Sequence, residues 1–432
     1  MKRDDFSYLC ITIISVLLGN TFFIQNEIVV FLSPLVIFIS LMVFQLINRL
    51  DFLFVTLLST GLNLGLNTIY SFDLIGIPLI YIALAPILLK FNYKLNRKIA
   101  LLYLVWAIFG YLNRFDLKWF LIESFCYLFL FSVISLGDKN RDVFKKIINL
   151  YFFPIYPLIF IGLIISKILN IEGAVYDESG LLFSLILTSK AFNSKKVNFK
   201  YLVLFLLFLY IKSVFLYLGS FELIGIFTLI FLSVNKFSKE FIIVSVLGFI
   251  LFFMVETNYD SLSNFNRHKI GQIMQLFTIK SINEISFSPL IRILEFASSW
   301  SDLWINKIYL FFGKGFGSFF TYDNFIISDF LDKSLLNTDS YSDNEIYLGK
   351  YKAAHNTLSY IVIKFGIIGY LILSYIIVKL FLKFRSTKDV LLLVILVYLV
   401  INFGWGLKNF LLTGLMLGLL NFNKENEENT YI

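Results

Sequence analysis

The sequence is poor in charge, cysteine and histidine, and each scarcity excludes a class of protein. Only 15% of the 432 residues are charged, where a soluble domain has roughly a quarter. The two cysteines, Cys10 and Cys126, both lie in apolar runs, so no disulfide framework is expected. Together with only two histidines, they offer no Cys/His metal cluster, and we expect neither a metal nor another cofactor. Nucleotide-binding motifs of the Walker A or GxGxxG type are missing from the sequence.

Apolar segments are abundant instead. Hydrophobic residues make up 58% of the chain, and a helix that crosses a bilayer needs roughly 20 of them in a row. The segments predict an all-α polytopic membrane protein of about fourteen transmembrane helices. They lie at 6–24, 27–47, 52–70, 74–90, 99–114, 119–136, 147–169, 180–192, 201–218, 222–234, 240–256, 357–380, 390–405 and 409–422.

The distribution of basic residues predicts how these helices are oriented. If the N-terminus is cytoplasmic, 22 of the 37 Lys and Arg residues fall in inside segments and 4 in short outside loops. Because Lys and Arg gather in cytoplasmic loops, we expect both termini in the cytoplasm. The net charge of +8 is then mostly a signal of topology, and no nucleic-acid partner is expected.

One long connection, 257–355, interrupts the series of helices and is predicted to be extracytoplasmic. It divides the chain into helices one to eleven (1–256), the loop itself, and helices twelve to fourteen with a cytoplasmic tail (356–432). The loop has near-balanced charge, and its length suggests a functional segment. Ser288-Pro289 is a good helix start and predicts an amphipathic helix near 288–312, along the outer membrane boundary. Its polar face would carry Arg292, Glu295, Ser299, Asp302 and Asn306.

Groups able to bind or transform a substrate are concentrated in and around this loop. The glycines of the segment 313–317, including Gly315 and Gly317, allow close approach of a ligand and an anion-holding nest; the alternative is a simple helix stop. Arg292 is suited to phosphate, or to an ion pair with Glu295. His355, followed by Asn356, is suited to proton exchange, or to capping the next helix.

Buried or edge charges give further candidates. Lys212 lies within a span, where a charge usually faces a partner or a wet cavity, and Lys364 is similar. Asp177 and Glu178 sit at an outer loop edge and would act as general bases; a solvated loop is the other interpretation. The triplet that begins at Arg267 is interpreted as solvated surface.

The layout and two local motifs resemble the bacterial O-antigen polymerase and O-antigen ligase group of membrane glycosyltransferases. One motif is the Arg292 helix that runs into Gly313-Lys314-Gly315-Phe316-Gly317. The other is His355-Asn356-Thr357-Leu358 with Gly366-Ile367-Ile368-Gly369 eleven residues on. Where family members carry Ser-Arg in a middle helix, this chain has Gly219-Ser220-Phe221-Glu222, so Lys212 or Arg267 would have to supply the second positive charge.

The resemblance implies a metal-independent, inverting transfer of glycan from undecaprenyl diphosphate at the periplasmic face of the bacterial inner membrane. Arg292, with Lys212 or Arg267, would neutralise the diphosphate, and Gly315, Gly317 and Asn356 would contact it. His355 would bind the diphosphate or take the acceptor proton, with Asp177 or Glu178 as the alternative base. The partners implied are the lipid-linked oligosaccharide and the bilayer. A chain-length regulator protein is a further partner that the resemblance allows.

Within that group the helix number favours a polymerase, which transfers glycan to another lipid-linked repeat unit. A ligase, which transfers it to lipid A core, usually has nearer twelve helices. A lipid-linked oligosaccharide flippase is the alternative from a different class, although the long external loop is unusual for such a transporter.

Overall fold

In the computed structural model the described part of the chain is almost wholly helical. The structure describes residues 3–19, 27–60, 73–74, 77–89, 97–137, 140–168, 180–193, 196–215, 225–226, 228–229, 287–322, 341–352, 354, 357–387, 390–402 and 406–419. Within them, two hairpins pair two-residue strands antiparallel: β1 (Asp73–Leu74) with β2 (Ile77–Pro78), and β3 (Phe192–Asn193) with β4 (Lys196–Val197).

Apart from the three helices of the long loop, the described helices follow the apolar runs. They are α1 (Arg3–Gly19), α2 (Glu27–Leu46), α3 (Leu50–Thr60), α4 (Leu79–Leu89), α5 (Arg97–Leu112), α6 (Leu117–Gly137), α7 (Arg141–Leu150), α8 (Tyr156–Ile168), α9 (Gly180–Ala191), α10 (Phe199–Phe215), α11 (Phe287–Trp304), α12 (Lys307–Phe312), α13 (Asp343–Leu348), α14 (Thr357–Thr387), α15 (Val390–Asn402) and α16 (Gly406–Gly418). One π-helical turn, Tyr151–Ile155, joins α7 to α8.

Three described helical stretches are long and apolar enough to cross a bilayer: Leu117–Gly137, Arg141–Ile165 and Thr357–Ser386. The second combines α7, the π-helical turn and most of α8. Shorter apolar helices occupy the other predicted runs, except 222–234 and 240–256, which lie mostly outside the described residues. The helical class is therefore confirmed, and the apolar helices support a membrane-embedded protein. The total of about fourteen spans stays a prediction.

Glycines let two of the central helices touch backbone to backbone. A Cβ placed on Gly137, at the end of α6, would lie 2.4 Å from the Cα atom of Gly418 in α16. Phe144 of α7 packs against the same glycine of α16, where an added Cβ would lie 2.8 Å from its ring, so the contact joins three helices. The close approach explains why these positions hold residues without side chains.

A methyl group at this crossing should destabilise the bundle. We expect Gly137→Ala to lower the stability by about 1–3 kcal/mol, because the added atom overlaps backbone. Gly162→Ala is the matched control, since a Cβ there has open space within 4 Å, and removing a helical glycine should stabilise by about 0.5–1 kcal/mol. Unfolding of both variants in detergent measures the difference, and equal stability would contradict this packing.

The segment 288–312 forms two helices, α11 and α12. Asn306 divides them and caps α12, since its side chain accepts a hydrogen bond from the Ile308 amide at 3.0 Å. The exposure pattern differs from an ordinary surface helix. Glu295, Ser299 and Asp302 point inward and are buried, because each has a partner inside the protein.

The outer face of the two helices is mostly apolar, with Asn306 and Lys307 as its exposed polar residues near the junction. The exposed fractions are 72% for Trp304, 67% for Ile305 and 56% for Ile308. This face adjoins α14, whose exposed side chains from Tyr370 to Leu382 are also apolar, for example Leu371 and Tyr375. A continuous apolar exterior is what lipid contact favours.

This orientation predicts that Trp304 contacts lipid. We expect an environment-sensitive fluorophore on Trp304→Cys, in a nanodisc, to show blue-shifted emission and quenching by brominated lipid. The same fluorophore on Asn344→Cys, an exposed position of α13, should emit as in water. Water-like emission from both positions would rule out lipid contact of this face.

Candidate functional site

The glycine loop, residues 313–317, enters the helix bundle and packs against three helices. A Cβ on Gly315 would lie 2.1 Å from the Trp106 carbonyl oxygen in α5, and one on Gly317 would lie 2.4 Å from the Cα atom of Phe120 in α6. Gly313, Gly315 and Gly317 all have positive φ, at 73°, 81° and 68°. Glycine is needed at these positions both for the backbone conformation and for the close approach.

The third contact is made possible by a break in α14. Gly366 has φ 60° and ψ −156°, which interrupts the helix. The interruption frees carbonyl groups that would otherwise accept bonds along the helix. The loop occupies them: the Lys314 amide donates to the Ile363 carbonyl at 2.7 Å and the Gly315 amide to the Lys364 carbonyl at 2.9 Å. The two glycine motifs of the sequence therefore form one structural unit.

Phe316, at the centre of the loop, is fully buried among aromatic rings. Its ring centroid lies 4.9 Å from that of Tyr103, 5.0 Å from that of Tyr127 and 5.9 Å from that of Phe365. These side chains belong to α5, α6 and α14. Each such aromatic pair stabilises by about 0.5–1.5 kcal/mol beyond its buried area, so Phe316 anchors the loop between the three helices.

A buried ion pair lies directly beside this anchor. The Lys364 ammonium in α14 is 3.0 Å from the Glu123 carboxylate in α6, and neither side chain is more than 3% exposed. The carboxylate also accepts hydrogen bonds from the Gly317 amide and from the Tyr360 hydroxyl. One carboxylate thus joins α6, α14 and the glycine loop.

Lys364 is also held by backbone carbonyl groups that follow the glycine loop in the chain. Its ammonium donates to the Ser318 carbonyl at 2.7 Å and to the Lys352 carbonyl at 3.2 Å. Isolated buried charges are costly, and a pair is tolerated only when its remaining hydrogen-bonding capacity is satisfied, as here. Removing one partner of such a pair costs about 3–5 kcal/mol.

A second ion pair connects the loop to α11. The Lys314 ammonium contacts the Asp302 carboxylate and also donates to the Phe319 carbonyl at 3.3 Å. Both side chains are about nine-tenths buried, since their exposed fractions are 10% and 8%. The last turn of α11 is therefore fixed to the loop across the short helix α12.

Tyr322 and Tyr341 form an aromatic cap next to Glu295 of α11. The Tyr341 hydroxyl donates to the Glu295 carboxylate, and it lies 3.0 Å from the Tyr322 hydroxyl. Burial and the charge of Glu295 raise the pKa of both tyrosines. Both hydroxyls therefore keep their protons at any biological pH and serve as donors around a buried carboxylate.

Two of the predicted site residues lie in different regions of the described bundle. Arg292 is half-buried in α11, which packs against α14. Lys212 is fully buried in α10, with its ammonium 5.8 Å from the Phe208 ring. Since α10 packs on α9, and α9 on α15, Lys212 is separated from the glycine loop by intervening helices. Five further predicted residues lie outside the described ones: Asp177, Glu178, Arg267, His355 and Asn356.

The expected anion nest at Gly315 and Gly317 needs correction. All five amides of the loop donate to protein acceptors: those of Lys314, Gly315 and Gly317 as given above, Phe316 to the Trp106 carbonyl at 3.2 Å, and Gly313 to the Tyr309 carbonyl at 2.7 Å. With its donors used in this way, the loop is a packing element and has no amide left for a diphosphate. The alternative interpretation, a simple helix stop, is also incomplete, because the loop joins three helices.

Glu123 is the residue that reasoning from the sequence missed. It stands in the apolar run 119–136, where an ionisable side chain usually has a specific partner. The same principle drew attention to Lys212 and Lys364. Glu123 is the only Asp or Glu in that run. The same rule, applied to acidic residues, therefore predicts that Glu123 pairs with a buried lysine.

The loop geometry predicts different effects for two glycine substitutions. Gly349→Ala should lower the stability by about 1–2 kcal/mol, because the backbone there has a positive φ of +61°. No steric overlap adds to this loss, since a Cβ at Gly349 meets nothing within 4 Å. Gly315→Ala should cost about 1–3 kcal/mol more, because its Cβ overlaps backbone of α5. Thermal unfolding of the two purified variants tests this; equal losses would mean that the loop is not packed against α5.

No protein-family model, curated protein or solved structure matches this chain. The proposal for its function therefore rests on its own residues and on the resemblance of its motifs.

Proposed function

We propose that the chain is an O-antigen polymerase, a membrane glycosyltransferase that extends a lipid-linked glycan. In this proposal it has about fourteen transmembrane helices, both termini in the cytoplasm of a bacterium, and the loop 257–355 on the periplasmic face of the inner membrane. The donor is an oligosaccharide on undecaprenyl diphosphate, and the acceptor is another lipid-linked repeat unit.

The observation that best supports the proposal is the contact between the two motifs that carry the resemblance. The glycine loop after the Arg292 helix bonds to α14 at the Gly366 break, although about fifty residues separate them. Meeting at the Gly366 break brings α11, which carries Arg292, alongside α14.

The short turn between α5 and α6 supports a common side for these segments. Arg114 in this turn pairs with Ser318 in an isolated antiparallel bridge, and the Phe115 amide donates to the Gly317 carbonyl at 2.8 Å. The basic-residue pattern assigns this turn, the loop and the start of α14 to the outside. Segments that the basic-residue pattern assigns to one side therefore meet at one end of the bundle.

In the proposed reaction an acceptor hydroxyl attacks the anomeric carbon of the donor sugar, and the bond to the diphosphate oxygen breaks with inversion. Arg292 would stabilise the negative charge that develops on the leaving undecaprenyl diphosphate. His355 would hydrogen-bond the diphosphate or take the proton of the acceptor hydroxyl, with Asp177 or Glu178 as the alternative base. Arg267 would supply a second positive charge, since Lys212 lies in a different region of the bundle from Arg292.

Deletion of the gene, followed by electrophoresis of lipopolysaccharide, tests the activity. We expect a core that carries a single repeat unit, without the ladder of longer chains, because transfer to core would continue while extension stops. A core without any repeat unit would contradict the polymerase and would favour the ligase or the flippase. Restoring the wild-type chain from a plasmid controls for effects on neighbouring genes.

Complementation with site variants tests the residues. We expect Arg292→Ala to reduce chain extension by about 100-fold or more, because one charge-stabilising donor is lost. Arg292→Lys should recover only part of it, because a lysine keeps the charge but loses the paired geometry. Arg385→Ala, at an exposed position at the end of α14, is the control. Normal ladders from Arg292→Ala, with equal protein in the membrane, would reject this assignment.

A further inference from the structure

We propose that Glu123 and Lys364 are positioning residues, which hold the glycine loop in place and through it set the position of Arg292. This inference rests on the proposed function for the meaning of Arg292, but the holding of the loop can be measured without it. The pair is buried, at 3% and 0% exposure, so it does not touch a substrate itself.

The polarity of the pair is fixed by the loop backbone. At position 123 the loop presents a donor, the Gly317 amide, which needs an acceptor. At position 364 the segments after the loop present two acceptors, the carbonyls of Ser318 and Lys352, which need a donor. Glu123 therefore bonds to the loop and Lys364 to the segments that follow it, and the two charges also bond to each other, as a clamp does. Exchanging the two residues would put a cation against an amide and an anion against carbonyls.

A rigid path leads from this clamp to Arg292. Lys314 lies in the clamped loop, and its ammonium holds the Asp302 carboxylate near the end of α11. Arg292 lies ten residues earlier on the same helix, about 15 Å along its axis. Between them Glu295 is fixed by Tyr341 of the cap. A shift of the loop would therefore move the helix that carries Arg292.

Other roles fit these groups less well. A substrate charge is not their partner, because each already has a complete set of protein partners. A role in packing alone would be served by apolar side chains, which are often as stable as a buried ion pair. An ion pair with backbone bonds on both sides adds directional placement, which packing does not.

The first test uses the double variant Glu123→Gln/Lys364→Met. It leaves no unpaired buried charge and keeps side-chain volume, so the protein should still reach the membrane. We expect chain extension to fall by about 100-fold, because a misplacement of roughly 1 Å at a reacting centre has an effect of this size. Tyr398→Phe is the control, because it removes a buried hydrogen bond of 3.0 Å to Asn409, between α15 and α16.

The second test replaces the clamp by a covalent bond. Arg114 and Ser318 face each other in the antiparallel bridge, a pairing whose spacing suits a disulfide. We introduce Arg114→Cys/Ser318→Cys into the double variant, with Cys10 and Cys126 changed to alanine. Oxidation should restore chain extension and dithiothreitol should abolish it again, because the disulfide holds the loop at the point that the clamp held.

The rate of disulfide formation reports the loop directly. It should be lower in the double variant than in the chain that keeps Glu123 and Lys364. If the double variant does not fold, Tyr360→Phe removes one donor to Glu123 and should slow disulfide formation, whereas Tyr398→Phe should not. Equal rates in all variants would overturn the clamp.

Two further outcomes separate this inference from the proposed function. A disulfide that forms fully but does not restore extension would overturn positioning. Wild-type extension in Arg292→Ala, together with slower disulfide formation in the double variant, would reject the proposed site and leave the holding of the loop supported.

Discussion

The structure depends most on one buried carboxylate, that of Glu123. It receives the ammonium of Lys364, the amide of Gly317 and the hydroxyl of Tyr360, so two helices and one loop meet at two oxygen atoms. In a low-dielectric interior such a group is stable only with all of its bonds formed. The requirement is mutual, because the loop amide and the lysine would themselves be costly to bury without it.

The glycines make this arrangement sterically possible. Gly110 of α5 and Gly315 of the loop touch backbone to backbone, and the break at Gly366 opens α14 to two loop amides. The loop thus enters the helix bundle with all five of its amides bonded, and unpaired backbone groups are the main cost of irregular backbone at membrane depth. Phe316 then supplies the apolar contact that fills the space between the helices.

Much of the fold was predictable from the sequence, and the site less so. Long apolar runs and helix-start signals marked the described helices, including the segment that ends before Gly313. The sequence did not predict that the side chains of Glu295 and Asp302 point into the protein. In a membrane protein, either face of an amphipathic helix can contact lipid or protein. The role of the glycine loop was also missed, since its amides bond to Trp106, Ile363 and Lys364, residues distant in sequence whose proximity only the folded chain establishes.

Amide hydrogen exchange of the chain in nanodiscs tests the central claim most directly. The account predicts that the amides of residues 313–317 exchange far more slowly than those of the exposed helix α13, because every one of them is bonded and buried. Exchange of 313–317 as fast as that of α13 would contradict a loop docked between α5, α6 and α14.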